Sequence, residues 1–268
     1  LGLPDEALKS FKKAIDLMTK ELTINPDDAD THNNLGIAFF EIEYFEDSII
    51  SYKKALDIKP NFAEGHNNIG AVLQRVNQHE DAIISFKKAY EIDPKIDYIL
   101  GNILGAKMNC CNWNGLSELL DEAQKRIVNN EKVIDSYTLT GLIDDPALQR
   151  KTAELFTQYH YPKKKSLTLI DRYPKHPKIR IGYFSADFKI HPVATLTAEL
   201  YEVHDREHFE IHAFSYGPDT NDEMNLRIKA GVDHFHNVES MSHKDIALHA
   251  RSLEIDIAVD LSGLTAKS

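Results

Sequence analysis

The stretch Ile179–Pro192, IRIGYFSADFKIHP, decides the fold of this chain because it joins two regions of different periodicity. Before it, apolar residues recur at helical spacing, whereas after it short apolar runs alternate with helical segments. Within the stretch, IRIGYF predicts a buried strand and SADFKIHP predicts the loop that leaves this strand. The sequence therefore predicts an α-helical solenoid followed by a parallel α/β domain of Rossmann-like type.

Strands and helices alternate after this joint. The predicted strands are IRIGYF, FEIHAFSYG, DHFHNVE and IDIAVDL, and the helix before the last of them starts at Ser242. This alternation gives right-handed crossovers and a parallel sheet covered on both faces. Ligands of such sheets bind outside the carboxyl ends of the strands, at the switch point of the strand order. The loop Ser185–Pro192 and the segment SGLTAKS after the fourth strand leave the sheet at that edge.

Three polar residues make the first loop a candidate site: Ser185, Asp187 and His191. A histidine there can act as a general base near neutral pH or donate a hydrogen bond to a substrate oxygen. In the alternative interpretation, Asp187 supports the loop and His191 only fills structure. The loop contains no glycine, which argues against the fingerprint of NAD or FAD binding, and the chain contains no P-loop, HExxH motif or nucleophile elbow.

A repeat of 34 residues precedes the joint. Pro26, Pro60 and Pro94 follow this spacing, as do the pairs His32 and His66, Leu35 and Ile69, Gly36 and Gly70, Tyr52 and Phe86, and Ala55 and Ala89. This is the period of tetratricopeptide repeats, which are helix-turn-helix units. Each unit buries too little surface to fold alone, so neighbouring units stabilise one another.

Residue types within the repeat suit paired helices. Gly36 and Gly70 allow the two helices of a unit to approach closely, and the prolines end the second helix. The apolar residues Ile50, Ala55 and Ile58 are predicted to fill the interior of the stack.

The repeats are irregular at both ends. Ala7, Phe11 and Ala14 match the spacing of a second helix, and the long interval from Ala14 to Pro26 predicts that this helix is about two turns longer than its counterparts. A solenoid that begins half-way through a unit lacks a cap, so we expect the chain to be cut from a longer one. After Pro94 the pattern decays into an atypical unit with the turn CCNWNG.

These features predict three regions. Residues 1–128 form one partial, two full and one atypical repeat; residues 129–178 form a helical connector; and residues 179–268 form the α/β domain. In the connector, Asp144 or Asp145 is predicted to cap a helix that begins at Pro146 and ends near Tyr159.

A polar register runs through the solenoid. Asn34, Asn68 and Asn102 lie 34 residues apart on the first helices of successive units. First helices line the inner surface of such a solenoid, where a ladder of amides can bind an extended peptide backbone through donors and acceptors. The alternative is that these amides only satisfy contacts between repeats.

Charge and composition limit the classes of partner that the chain can bind. The net charge of −11 argues against nucleic acid or an anionic membrane, and the only basic cluster, around Lys163–Lys165 and Arg172–Arg180, is typical of a solvated linker. No apolar run has the length of a membrane span, and the start LGLPDEALKS does not have the pattern of a signal sequence, so we expect a cytoplasmic protein. Adjacent Cys110 and Cys111 are too close for an unstrained disulfide and too few for a metal site, so we expect reduced core residues.

The joined motifs resemble the protein O-GlcNAc transferases of glycosyltransferase family 41, in their bacterial form. The resemblance rests on the repeats, the CNW element, the DDPALQ helix, IRIGYFSADFKIHP and DLSGLTAKS, and covers essentially the whole chain. It implies a two-lobed GT-B fold without an essential metal, which transfers a sugar from UDP-GlcNAc to Ser or Thr hydroxyls. It also implies that His191 is an active-site base or substrate contact and that the repeats recruit acceptor proteins.

The sequence also departs from the family. Many bacterial members have DLSGHT where this chain has Leu264, and the chain ends before the second lobe, which in the family contacts the nucleotide sugar. We therefore expect a truncated N-terminal lobe that binds no cofactor and transfers no sugar by itself, because the leaving diphosphate would lack its stabilising groups. The alternative is a non-catalytic adaptor whose repeats scaffold protein partners. The unpaired edge of an incomplete sheet also leaves a homo-oligomer open.

Overall fold

The computed structural model of the protein describes residues 5–161, 167 and 173–262. It divides into two compact units, residues 1–163 and 164–268. Three predictions concern residues outside the described ones: those on Lys163–Lys165 and Arg172 of the basic cluster, on Leu264, and on most of the segment SGLTAKS. No helix in the described part of the chain is long and apolar enough to cross a membrane.

The first unit contains nine described helices, paired in sequence as the repeat predicts. They are α1 (Asp5–Ile24), α2 (Ala29–Glu41), α3 (Phe45–Ile58), α4 (Ala63–Arg75), α5 (His79–Ile92), α6 (Ile99–Asn109), α7 (Leu116–Val128), α8 (Ser136–Thr140) and α9 (Pro146–His160).

Helix lengths follow the punctuation in the sequence. Helices α3 and α5 end two residues before Pro60 and Pro94, as predicted. Helix α1 has 20 residues, whereas each of these two helices has 14. This confirms the prediction that the helix before Pro26 is longer than its counterparts. Asp145 caps α9 by accepting hydrogen bonds from the amides of Ala147 and Leu148, and Pro146 occupies its first position.

The glycines of the repeat allow close packing. A Cβ atom at Gly36 would lie 2.7 Å from the Tyr52 ring, and one at Gly70 would lie 2.7 Å from the Phe86 ring. Both rings are buried between the helices of their units. The close approach predicted at these glycines is therefore made by an aromatic ring that lies against the glycine in each full repeat.

Two predictions about packing were wrong. Ala55 is fully buried, but Ile50 and Ile58 are exposed, so they do not fill the interior of the stack. Cys110 and Cys111 are both free thiols, but Cys111 is exposed and is not a core residue. It lies in the turn after α6 with a left-handed backbone, at φ 52°, which places it outside the helix pair.

The second unit is a four-stranded parallel sheet with helices in the crossovers. Its described elements are β1 (Ile179–Ser185), α10 (Pro192–Val203), β2 (Phe209–Ser215), α11 (Glu223–Gly231), β3 (His234–Asn237), α12 (His243–Ser252) and β4 (Ile257–Asp260). The strand order is β3-β2-β1-β4, and every described pairing is parallel. The α/β fold class is confirmed.

Both faces of the sheet are packed by helices. One face carries Ile181, Tyr183, Ile211 and Ala213 in a core with the buried residues of α10 and Ile228 of α11. The other face carries Phe184 and Phe214, whose stacked rings lie 4.5 Å apart, in a smaller core with α12. Strands β2 and β3 lie on one side of β1, and β4 lies on its other side. The switch point of the strand order is therefore between β1 and β4, at the ends of these two strands.

Candidate functional site

The loop after β1 leaves the sheet at the switch point. Strands β1 and β4 are neighbours. After β1 the chain forms β2 and β3 on one side of β1, and it then crosses to the other side of β1 to form β4. The amide of Leu261 donates to the carbonyl of Phe184 at 3.0 Å, which holds the residue after β4 beside the end of β1. The predicted site loop, residues 185–192, therefore lies where sheets of this type bind ligands.

His191 is the residue before α10, and its side chain caps that helix. Its Nδ1 accepts a hydrogen bond from the amide of Val193 at 3.2 Å, and Pro192 takes the first helical position. An acceptor Nδ1 carries no proton, so the neutral ring carries its proton on Nε2. The side chain is about a third exposed, at 38%. His191 therefore combines a capping nitrogen with a donor nitrogen that has no structural partner among the described residues.

Asp187 lies close to the same ring. One carboxylate oxygen is 3.7 Å from His191 Nδ1, too far for a hydrogen bond but close enough for electrostatic attraction if the ring is protonated. The amide of Asp187 donates to Ser185 Oγ at 3.0 Å. Ser185 is fully buried and thus fixes the backbone of the loop rather than facing a ligand.

Two residues at the start of α11, its N-cap Asp222 and Asn225 in its first turn, hold the loop by hydrogen bonds. Asp222 caps α11 and also accepts a hydrogen bond from the amide of Ile190 at 3.0 Å. Asn225 is fully buried, and its Nδ2 donates to the carbonyl of Phe188 at 2.6 Å. Hydrogen bonding from Thr220 is the main reason that the pKa of Asp222 is lowered, so Asp222 stays ionised. The sequence analysis missed both residues.

The loop after β2 packs closely against the site loop. A Cβ atom at Gly217 would lie 1.9 Å from the carbonyl oxygen of Ala186, so only glycine fits there. Burial raises the pKa of the neighbouring Tyr216, and the negative charges of Asp260 and Asp187 act in the same direction. Tyr216 is therefore a neutral hydroxyl among carboxylates at the carboxyl edge of the sheet.

Two of the three predicted asparagines, Asn68 and Asn102, donate hydrogen bonds to asparagines of the preceding unit. Asn68 Nδ2 donates to Asn33 Oδ1 at 3.1 Å, and Asn102 Nδ2 donates to Asn67 Oδ1 at 2.9 Å. The series stops in the next unit, where Gly101 occupies the position that corresponds to Asn33 and Asn67. A Cβ atom there would lie 2.9 Å from the backbone of Ile134, which covers the position.

Asn34 differs from the other two because its side chain is exposed, whereas Asn68 and Asn102 are partly buried. One hydrogen bond uses only one of the two donor hydrogens of a carboxamide. The structure therefore places all three residues on equivalent turns of the first helices, with Asn68 and Asn102 engaged between repeats.

Comparison with protein families matches residues 148–268 to glycosyl transferase family 41. Two tetratricopeptide repeat models match residues 38–77 and 63–96. Residues 148–268 thus match the family 41 model, and the region before them matches tetratricopeptide repeat models. The match to family 41 begins within α9 and includes the whole site loop.

Two individual proteins are similar to parts of this chain or to most of it. The chain is 34% identical over 88 residues to the probable UDP-N-acetylglucosamine–peptide N-acetylglucosaminyltransferase SEC of Arabidopsis thaliana, a match that covers 33% of this chain and 9% of that protein. An O-GlcNAc transferase mutant of Thermobaculum terrenum aligns over 96% of this chain and 46% of its own, with 22% identity and a TM-score of 0.47. The chain thus spans less than half the length of either relative.

A further solved structure aligns with a smaller part of this chain. The first tetratricopeptide domain of Spaghetti (RPAP3), bound to an HSP90 peptide, aligns over 38% of this chain and 82% of its own, with 16% identity and a TM-score of 0.38. Tetratricopeptide repeats are a protein-interaction architecture, so this chain contains a region of the kind that binds proteins.

Proposed function

We propose that this chain belongs to an enzyme that transfers N-acetylglucosamine from UDP-N-acetylglucosamine to Ser or Thr hydroxyls of proteins. The observation that carries the proposal is the site loop, which lies at the switch point of a family 41 segment and presents His191 there. In this reaction the hydroxyl oxygen forms a bond to the anomeric carbon, the bond to the diphosphate breaks, and the hydroxyl proton is released.

Of the two roles considered for His191, its surroundings support hydrogen-bond donation. A ring whose Nδ1 accepts the Val193 amide has Nε2–H to offer, and such a nitrogen cannot accept a proton. A donor fixed by helix capping needs little reorganisation when charge develops on a substrate oxygen. We therefore assign Nε2 of His191 to an oxygen of the substrate, and Asp187, Asp222 and Asn225 to holding the loop.

The repeats recruit the acceptor protein in this proposal. Asn34, Asn68 and Asn102 repeat at one position of successive first helices, which suits the recurring amides of an extended peptide. The inter-repeat hydrogen bonds of Asn68 and Asn102 fix the orientation of their carboxamides and leave donor and acceptor capacity. The two free cysteines suit a reducing compartment, and the proposal includes a cytoplasmic location.

The test of sugar transfer uses the full-length protein that contains this chain, together with UDP-N-acetylglucosamine and candidate acceptor proteins. Mass spectrometry of the acceptor is expected to show the mass of an added N-acetylhexosamine on Ser or Thr. The non-catalytic adaptor predicts acceptor binding without any such addition. Capture of acceptors without transfer by the whole protein would therefore reject the enzyme and support the adaptor.

A second test concerns the asparagines alone. The variant with Asn34, Asn68 and Asn102 replaced by Ala is expected to bind an acceptor peptide at least about tenfold more weakly, since several backbone hydrogen bonds are lost. Asn61→Ala is the control, because Asn61 is exposed in the turn before α4. If a folded triple variant captured the peptide as well as the wild type, the role of these residues would be limited to contacts between repeats.

A further inference from the structure

A cluster of histidines lies on β2 and β3, away from the strand ends that carry the site loop. Glu210 and His212 are two residues apart on β2, so their side chains face the same side of the sheet. The β2–β3 register places His234 directly beside His212. One ligand atom from each of these three residues lies within 4.8 Å of the others. His212 is three residues before the end of β2, about 10 Å along the strand from the carboxyl edge.

His212 carries the observation that points to a ligand. Its ring is 4% exposed, and Nε2 is a buried nitrogen without a hydrogen-bond partner in the described part of the chain. Glu210 Oε1 is 3.6 Å from this nitrogen, beyond hydrogen-bonding distance. Buried polar atoms almost always have a partner, so an orphaned imidazole nitrogen that faces a carboxylate requires an explanation.

The spacing of the three groups suits a small divalent ion. Glu210 Oε1 lies 2.9 Å from His234 Nε2 and 3.6 Å from His212 Nε2. Two ligands of a tetrahedral Zn²⁺ ion at ordinary bond lengths are separated by about 3.4 Å. His234 is half-exposed, which gives an ion a path from solvent and leaves a coordination position for water.

The remaining nitrogen of His212 is held as metal-bound histidines require. Its Nδ1 lies 3.1 Å from His236 Nε2, and His236 Nδ1 lies 3.4 Å from His249 Nε2. With Nε2 of His212 on a metal, Nδ1–H donates to His236, and His236 in turn donates to His249. Such outer partners fix the ring and its tautomer.

A nearby positive charge is the main argument against a cation in this cluster. The Arg180 guanidinium opposes a cation, but it bonds Glu210 through the other oxygen, Oε2, at 3.0 Å and leaves Oε1 for the ion.

We propose that Glu210, His212 and His234 bind a divalent transition-metal ion, with Zn²⁺ as the ion that nitrogen and oxygen ligands at this spacing suit. This site is separate from the site loop, and the proposal does not depend on sugar transfer. The sequence predicted no metal site because the ligands come from two strands that only the parallel pairing brings together.

The test uses the chain without a polyhistidine tag, stripped of metal by a chelator and titrated with ZnCl₂ in a calorimeter. We expect saturable binding of one ion per chain. His234→Ala and Glu210→Gln are each expected to weaken the affinity by at least about tenfold. Co²⁺ in the same site is expected to show the intense visible absorption of tetrahedral coordination, which both variants lose.

His243→Ala is the matched control, because it removes an exposed histidine of the same unit outside the cluster. Circular dichroism verifies that each variant is folded, and Glu210→Gln keeps the shape of the side chain if His234→Ala does not fold. Absence of saturable Zn²⁺ binding, equal affinity in folded His234→Ala or Glu210→Gln, or an equal loss in His243→Ala would each overturn the proposal.

Discussion

In our proposal, His191 serves two purposes with the two nitrogens of one ring. Nδ1 replaces a missing backbone acceptor at the start of α10, and this hydrogen bond determines that the proton of the neutral ring is on Nε2. A structural role and a chemical role are thus separable, because only the first needs an acceptor near the Val193 amide.

Stability measurements separate these roles for His191. His191→Ala is expected to lower the free energy of unfolding by about 1 kcal/mol, the usual effect of losing an N-cap. His191→Asn supplies a capping oxygen and is expected to stay within about 0.5 kcal/mol of the wild type. Urea unfolding followed by circular dichroism measures both, and equal losses in the two variants would contradict the capping role.

The loop anchor Asn225 gives a second prediction. Asn225→Ala removes the buried hydrogen bond to the carbonyl of Phe188 and leaves that carbonyl without this donor, so we expect a loss of about 1–3 kcal/mol in the free energy of unfolding. Leu226→Ala, at an exposed position of the same helix, is the control and is expected to cost less than about 0.5 kcal/mol. A loss for Asn225→Ala as small as that of the control would show that the anchor contributes little.

The sequence predicts the position of some of these residues in the fold. Asp187 and His191 follow an apolar strand directly, and the rule for parallel sheets places them at a ligand-binding edge. Asp222 and Asn225 lie more than 30 residues farther along the chain. Asp222 could be identified as a helix cap, but its hydrogen bond to Ile190 depends on where α11 packs, which the sequence does not specify.

Each full repeat depends on a glycine beneath an aromatic ring. Gly70→Ala would place a methyl group 2.7 Å from the buried Phe86 ring, so we expect a loss of about 1–3 kcal/mol in the free energy of unfolding from overpacking. Gly105→Ala on α6 meets its nearest neighbour only at 3.7 Å and is expected to stabilise the helix by about 0.5–1 kcal/mol. Chemical denaturation of both variants checks the opposite signs, and a stabilising Gly70→Ala would contradict the packing.

Element boundaries were predictable where one residue enforces them. The prolines ended α3 and α5, Asp145 and Pro146 started α9, and Ser242 capped α12. Periodicity was less informative about which apolar residues are buried. Ile50 and Ile58 fit a helical pattern, yet both are exposed because α3 packs through other positions, such as Tyr52 and Ala55.

At the scale of the whole molecule, the sequence predicted an all-helical repeat unit and a parallel α/β unit, because the 34-residue period and the strand-helix alternation are both long-range patterns. The order of the strands and the histidine cluster were not predicted. Both depend on pairing between segments distant in the chain, such as His212 with His234. The division of the chain at residues 128 and 178 remains a prediction.

The most direct test of the central claim is the rate of N-acetylglucosamine transfer by the whole protein with wild-type His191 and with His191→Asn. Because Asn keeps the helix cap and lacks the Nε2–H donor in its position, we predict a folded variant with kcat/KM lower by about a hundredfold or more. Equal kcat/KM values for a folded His191→Asn variant and the wild type would contradict the assignment of His191 to the substrate.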